Sequence, residues 1–168
     1  MRIARLFKRI FIILIILYIA ICSVAYFLQE KLLFFPEKLS ADFKFQFDYP
    51  FEESNITCSN GDTLNQLLFH ADSAKGVVIY FHGNAGSLRT WGTSAEHFLK
   101  NNYDVAITDY ACYGKSKGHL SEKNLLADAQ AVFDNAKRDT RNQRLSSMDV
   151  HWAQALPPIL LLKIIRRN

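Results

Sequence analysis

The chain has 168 residues, 49% of them apolar, and a formal net charge of +4, which is room for one modest domain. Arg2, Arg5, Lys8 and Arg9 crowd the start, and no basic stripe interleaved with aromatics follows, so nucleic acid is excluded as a partner. Cys22, Cys58 and Cys112 are odd in number and unpaired in spacing, which gives neither a disulfide framework nor a zinc site. After the basic positions 1–9, Ile10 to Leu28 is a run of nineteen residues without a charge. About 20 apolar residues span a bilayer as a helix. The leading cations predict a cytoplasmic N-terminus, with everything after residue 28 on the outer, periplasmic or lumenal side. A cleaved signal peptide is the rival reading. Its apolar core is shorter, about 7–15 residues, and ends in a small-residue site, whereas Gln29-Glu30-Lys31 follows here. The expectation is an uncleaved signal anchor, with Tyr18 and Tyr26 as interfacial or ordinary span residues.

QEKLLFFPEKL, residues 29–39, reads as a collar on the membrane surface or as a strand packed on the domain. Segments 55–59 and 64–70 flank Asn60-Gly61-Asp62, turn chemistry that predicts an antiparallel hairpin. Asn55-Ile56-Thr57 is a glycosylation sequon in a eukaryotic host. Val77 to Phe81 is a short β-branched run, the pattern of a strand buried on both faces. A helix is expected over 90–99 and a second buried strand over 105–108. Another helix is expected over 121–134, capped by Ser121, with Leu125, Leu126, Ala129, Val132 and Phe133 on its apolar face. A hairpin followed by strand, helix, strand, helix predicts a mostly parallel α/β sheet. Ligands bind such sheets at loops on the carboxyl ends of the strands. Two loops qualify: His82-Gly83-Asn84-Ala85-Gly86, and Asp109 to Gly118.

Glycines let backbone N–H groups approach a ligand closely, and amides converging in a cleft hold negative charge. In acyl transfer that charge is the oxyanion of the tetrahedral intermediate. A phosphate cradle uses the same physics, but the stretch matches neither G-x-x-x-x-G-K-[ST] nor G-x-G-x-x-G. A tight strand-to-helix turn with an incidental histidine is the plain alternative.

YFHGNAG after one strand, DY-x-x-YGKSKG after the next, and an N-terminal span followed by QEKLLFFPEKL resemble membrane-anchored α/β-hydrolase-domain proteins. These are serine hydrolases related to lysophospholipases and acyl-thioesterases. The resemblance runs from Gln29 to Phe133. It implies the N-terminal half of an α/β-hydrolase fold over 29–134, behind a transmembrane helix at 10–28. It also implies that Asn84 supplies an oxyanion-hole N–H, that His82, Gly83, Ala85 and Gly86 shape the loop, and that Asp109, Tyr110, Tyr113 and Gly114 line the pocket. No metal or cofactor is implied. The chain departs from the family at Ala111-Cys112, where Arg-Gly is usual, which puts the packing of the second loop in question. Cys112 is a poor nucleophile candidate without a fixed base.

The family nucleophile is a serine in G-x-S-x-G, due near residue 150, yet no glycine follows Gly118. Ser146, Ser147, Asp149 and His151 lie close in sequence, but a triad is recognised by geometry. The genetic code offers another account. Read one nucleotide earlier, Met148/Asp149 forces Gly, Asp149/Val150 allows Arg or Cys, and Val150/His151 allows Ser, Pro, Thr or Ala. His151/Trp152 then forces Leu and Trp152/Ala153 forces Gly. The result contains G-R-S-L-G, the form this family favours. The expectation is a frameshift or sequencing error between about Asp134 and Arg144, with 135–168 an out-of-frame tail that lacks nucleophile, acid and His. The chain as written is then inactive, its sheet edge is left unpaired and aggregation-prone, and its intact form cleaves an ester or thioester in an acylated or lipid-derived substrate. The competing expectation is a non-catalytic membrane-anchored interaction protein, in which Pro157-Pro158 and the apolar run after it form a surface helix or partner element.

Overall fold

The computed structural model describes residues 2–142, 150–154 and 161–166. The chain divides into two compact units, Met1–Phe34 and Phe35–Asn168.

The first unit is one helix, α1 (Arg2–Leu33), longer at both ends than the charge-free run that predicts it. At 1.5 Å per residue its 32 residues extend about 48 Å, and it is long and apolar enough to cross a membrane. Its apolar side chains are exposed along its length. The hydroxyl of Ser23 donates to the carbonyl of Ile19 at 2.8 Å, so this polar group is satisfied within the helix, as an apolar solvent requires.

The second unit opens with β1 (Phe35–Pro36), then β2 (Phe51–Thr57), β3 (Thr63–Phe69), β4 (Gly76–Phe81) and β5 (Ala85–Gly86). Next come α2 (Leu88–Trp91), a single 3-10 turn (Gly92–Ser94), α3 (Ala95–Leu99), β6 (Asp104–Thr108) and α4 (Glu122–Asn142). The last described elements are β7 (Val150–Gln154) and β8 (Leu161–Arg166). Among the described residues the main sheet runs β2-β3-β6-β4-β8-β7, and β1 pairs separately with β5. The β2–β3 hairpin turns at Asn60-Gly61-Asp62 as expected, with Gly61 at φ +89. β4 and β6 are parallel neighbours, which requires a crossover, and α2 and α3 supply it.

The two-residue period of β4 explains the layering. Val78 and Tyr80 enter one core with Leu67, Phe69, Leu88, Leu99, Val105 and Ile107, against which Phe47 and Trp91 pack. Ile79 and Phe81 enter the other with Ile56, Leu64, Val132 and Ala136, the last two from α4. A strand buried on both faces has no polar side to alternate with, hence the continuous apolar run.

Four expectations need adjustment. The helix expected over 90–99 is interrupted by the turn Gly92–Ser94; a Cβ at Gly92 would overlap the ring of Phe47, so only glycine lets the two segments approach so closely. The helix expected over 121–134 continues to Asn142. Ser121 does cap it, accepting from the Asn124 N–H at 3.2 Å, but Leu126 points outward, 69% exposed. The edge of β4 is not left open: β8 pairs with it antiparallel, from Gly76↔Arg166 to Tyr80↔Leu162. The apolar run near the end is accordingly a strand over Leu161–Arg166, not a surface helix. Ser146, Ser147, Asp149 and Pro157-Pro158 lie outside the described residues, and the backbone of His151 belongs to β7.

Candidate functional site

The two glycine-bearing loops leave the carboxyl ends of β4 and β6, adjacent parallel strands, and meet above the sheet. The first loop is ordered through its carbonyl groups. The carbonyl of His82 accepts from the Tyr110 hydroxyl at 2.6 Å. That of Gly83 accepts from His82 Nδ1 at 2.7 Å. Asn84 accepts twice, from the Tyr113 hydroxyl at 2.7 Å and the Phe35 N–H at 2.8 Å. The carbonyl of Ala85 accepts from Trp91 Nε1 at 2.7 Å, and that of Gly86 from the Glu37 N–H at 3.0 Å.

Five consecutive carbonyls are therefore turned onto protein donors. A trans peptide is planar, with its N–H directed opposite to the preceding C=O. The Gly83 carbonyl faces the buried imidazole of His82, so the N–H of Asn84 is directed away from that ring. Trp91 closes over the loop: its indole lies against Gly83, where a Cβ would sit 3.0 Å from the ring. It also stacks on His82 with 5.8 Å between centroids.

Beneath the loop lies a polar pair. His82 and Asp109 are completely buried, and Nε2 and Oδ1 are 3.1 Å apart. Because the Gly83 carbonyl can only accept, Nδ1 is the donor to it, and Nε2 faces the carboxyl group. The same Oδ1 accepts the Leu88 N–H at 3.0 Å. Burial raises the Asp109 pKa, while the hydrogen bond and charge of His82 pull it back down. The pair looks like part of a hydrolytic triad, but neither member reaches solvent. It ties the β4 loop to the β6 loop instead. Burial likewise raises Tyr110, and Tyr113 to about 12, so both phenols stay protonated donors at neutral pH.

The departure at Ala111-Cys112 has a clear local form. Ala111 is 1% exposed. Cys112 adopts φ +70, the left-handed region where glycine sits freely and a side chain is strained. Its thiol donates to the Gly118 carbonyl at 3.0 Å.

His82, Gly83, Asn84, Ala85, Gly86, Asp109, Tyr110, Tyr113 and Gly114 thus come together. Sequence reasoning missed Glu37, Ser87 and Trp91. Ser87 had a signal, as a serine just before a helix: it caps α2, accepting from the Arg89 N–H at 3.3 Å. Glu37 had none.

No protein-family model matches the chain. It is 32% identical over 100 residues to the uncharacterized protein YfhR of Escherichia coli K12, covering 58% of this chain and 34% of that one. It is 29% identical over 93 residues to protein bem46 of Schizosaccharomyces pombe, covering 53% and 31%. The chain spans about a third of the length of these curated relatives. Among solved structures it is similar to the Pyrococcus furiosus esterase Pf2001, with a TM-score of 0.53 at 21% identity, covering 66% of this chain and 44% of that one. At that identity the likeness establishes the fold alone, α/β.

Proposed function

We propose that this chain carries the oxyanion-binding half of a membrane-anchored serine hydrolase that cleaves esters or thioesters through an acyl-enzyme. The observation that carries the reading is the loop 82–86. Its carbonyls are engaged by protein donors, and the Asn84 N–H is directed away from the buried imidazole. An amide held this way meets the negative oxygen of a tetrahedral intermediate without reorganising, and removing one such donor costs roughly 10²–10³ in rate. Tyr110, Tyr113 and Trp91 position the loop, and the His82–Asp109 pair supports it from below. The resemblance of Pf2001, named as an esterase, agrees with ester chemistry.

In this reading residues 10–28 hold the domain at the membrane, with the N-terminus cytoplasmic and the domain on the opposite side. The substrate is acylated or lipid-derived. The nucleophile belongs to the shifted reading of Met148 to Ala153, and the 168-residue product is inactive. The test is the nucleotide sequence across codons 130–168 and the bases beyond. An open G-R-S-L-G frame downstream, whose product takes a fluorophosphonate label and cleaves a short acyl p-nitrophenyl ester, supports the reading. Labelling of the 168-residue chain itself overturns the inactivity.

A non-catalytic, membrane-anchored binding protein is the second reading. The antiparallel pairing of β8 with β4 favours it, because it gives the written sequence its own cover for the sheet edge. Co-purification of a stoichiometric partner supports this alternative.

A further inference from the structure

The segment that follows α1 in sequence is built into both loops. Phe35 N–H donates to the Asn84 carbonyl at 2.8 Å, and Glu37 N–H to the Gly86 carbonyl at 3.0 Å. On the other side of the same segment, Gly114 N–H donates to the Glu37 carbonyl at 2.7 Å, and Leu39 N–H to the Gly114 carbonyl at 3.0 Å. Residues 35–39 therefore form a strap with the first loop on one edge and the second on the other.

One side chain adds to these backbone bonds. The Glu37 carboxylate accepts the Ser87 hydroxyl on Oε2 at 2.7 Å, and its Oε1 forms an ion pair with Arg89. Ser87 is completely buried and marks the exit of the loop into α2. Glu37 thus holds Gly86 and Gly114 with its backbone, and Ser87 and Arg89 with its carboxylate. Pairing with Arg89 also offsets a negative charge that would otherwise stand unneutralised beside a loop meant to receive an anion.

We propose that Glu37 is a positioning residue for the oxyanion loop, fixing the Ala85–Ser87 exit and, through the strap, the spacing between the two loops. The proposal deepens the hydrolase reading and rests on it for its purpose. The backbone side of the strap would survive any substitution that keeps an N–H and a C=O. The carboxylate's part is what mutation isolates.

The test is amide hydrogen exchange, resolved by peptide, on the full chain in lipid nanodiscs. Replacing an acceptor of a buried hydroxyl and an ion pair exposes local opening, and losing a hydrogen bond to a charged group corresponds to roughly tenfold or more. Glu37→Ala is expected to speed exchange at least about tenfold over 83–88 and 113–116, with β4 and β6 unchanged. Glu37→Gln keeps an acceptor for Ser87 and is expected to recover most of the protection. Unchanged loops in Glu37→Ala overturn the proposal. So does acceleration spread equally over the strands, which would mark a general loss of stability, and so does Glu37→Gln as fast as Glu37→Ala. No step of this measurement needs catalysis. An inactive frame-restored enzyme therefore counts against the hydrolase reading alone, and unchanged exchange counts against the strap alone.

Discussion

Within the unit 35–168, buried carboxyl groups keep different company at the loops and at the β2–β3 turn. At the loops, Asp109 is paired with His82, an acid with a base. At the β2–β3 turn, Asp62 and Asp128 are acid with acid. Both are buried, and the single amide of Asn60 donates to Asp62 Oδ2 at 3.1 Å and to Asp128 Oδ1 at 3.0 Å. Burial raises both Asp109 and Asp128, but the next influence differs. His82 lowers the first through a hydrogen bond and its charge. Asn60 and Cys58 lower the second through hydrogen bonds, while the charge of Asp62 raises it. The thiol of Cys58 is itself pushed up to about 12, by burial and then by Asp128. Beside a base, the effect of burial on the acid is opposed by its partner. A buried acid beside another acid favours retaining its proton.

The acid–base side is the easier to break. Asp109→Ala removes the acceptor of His82 and of the Leu88 N–H. It leaves Nε2 of a buried imidazole without its partner, so chemical denaturation should show a loss of about 3–5 kcal/mol. Next come two glycines that stand in the same relation to the two sites. A Cβ at Gly114 would overlap Asp109 Oδ2, and one at Gly118 would overlap Asp62 Oδ1; their φ values are +48 and +141. Gly118→Ala and Gly114→Ala should each cost about 1–3 kcal/mol, the first disturbing the turn and the second the loops, as local hydrogen exchange will report. Trp91→Phe removes the donor to Ala85 and the distal part of the indole that lies against Gly83, for about 1 kcal/mol.

Asp128→Asn is the smallest change in stability and the sharpest comparison. The folded-state pKa of Asp128 is raised. Its contribution is therefore fully present below the unfolded value near 3.9 and is lost as pH rises through the folded value. The amide cannot titrate, so the variant should lose that part of the decline while Asp109→Asn loses a different part. Denaturation midpoints measured across the acid-to-neutral range check both. Identical pH curves for Asp128→Asn and the parent would remove the acid–acid half of the comparison.

Much of the sheet was legible from sequence because local signals and burial agree there. Val77 to Phe81 and Val105 to Thr108 are β-branched or apolar throughout, and Asn60-Gly61-Asp62 turns the hairpin between them and the edge. The loop 82–86 was legible as a motif. What was not legible depends on contacts distant in sequence. The close approach of Phe47 to Gly92, forty-five positions later, has no local signal. Glu37 matters because of Ser87, Arg89 and Gly114. The aromatic-and-proline strap gives no periodicity from which to foresee pairing with two loops. Cys112 shows the reverse case, a residue singled out in the sequence whose physical meaning lies in a backbone angle.

The donors that hold the carbonyls of 82–86 are Phe35, Glu37, His82, Trp91, Tyr110 and Tyr113. All are synthesised before residue 114. None of these carbonyl bonds draws on a residue after Tyr113. The fastening of the loop 82–86 is therefore a property of residues 35–113, separable from whatever sequence comes after them.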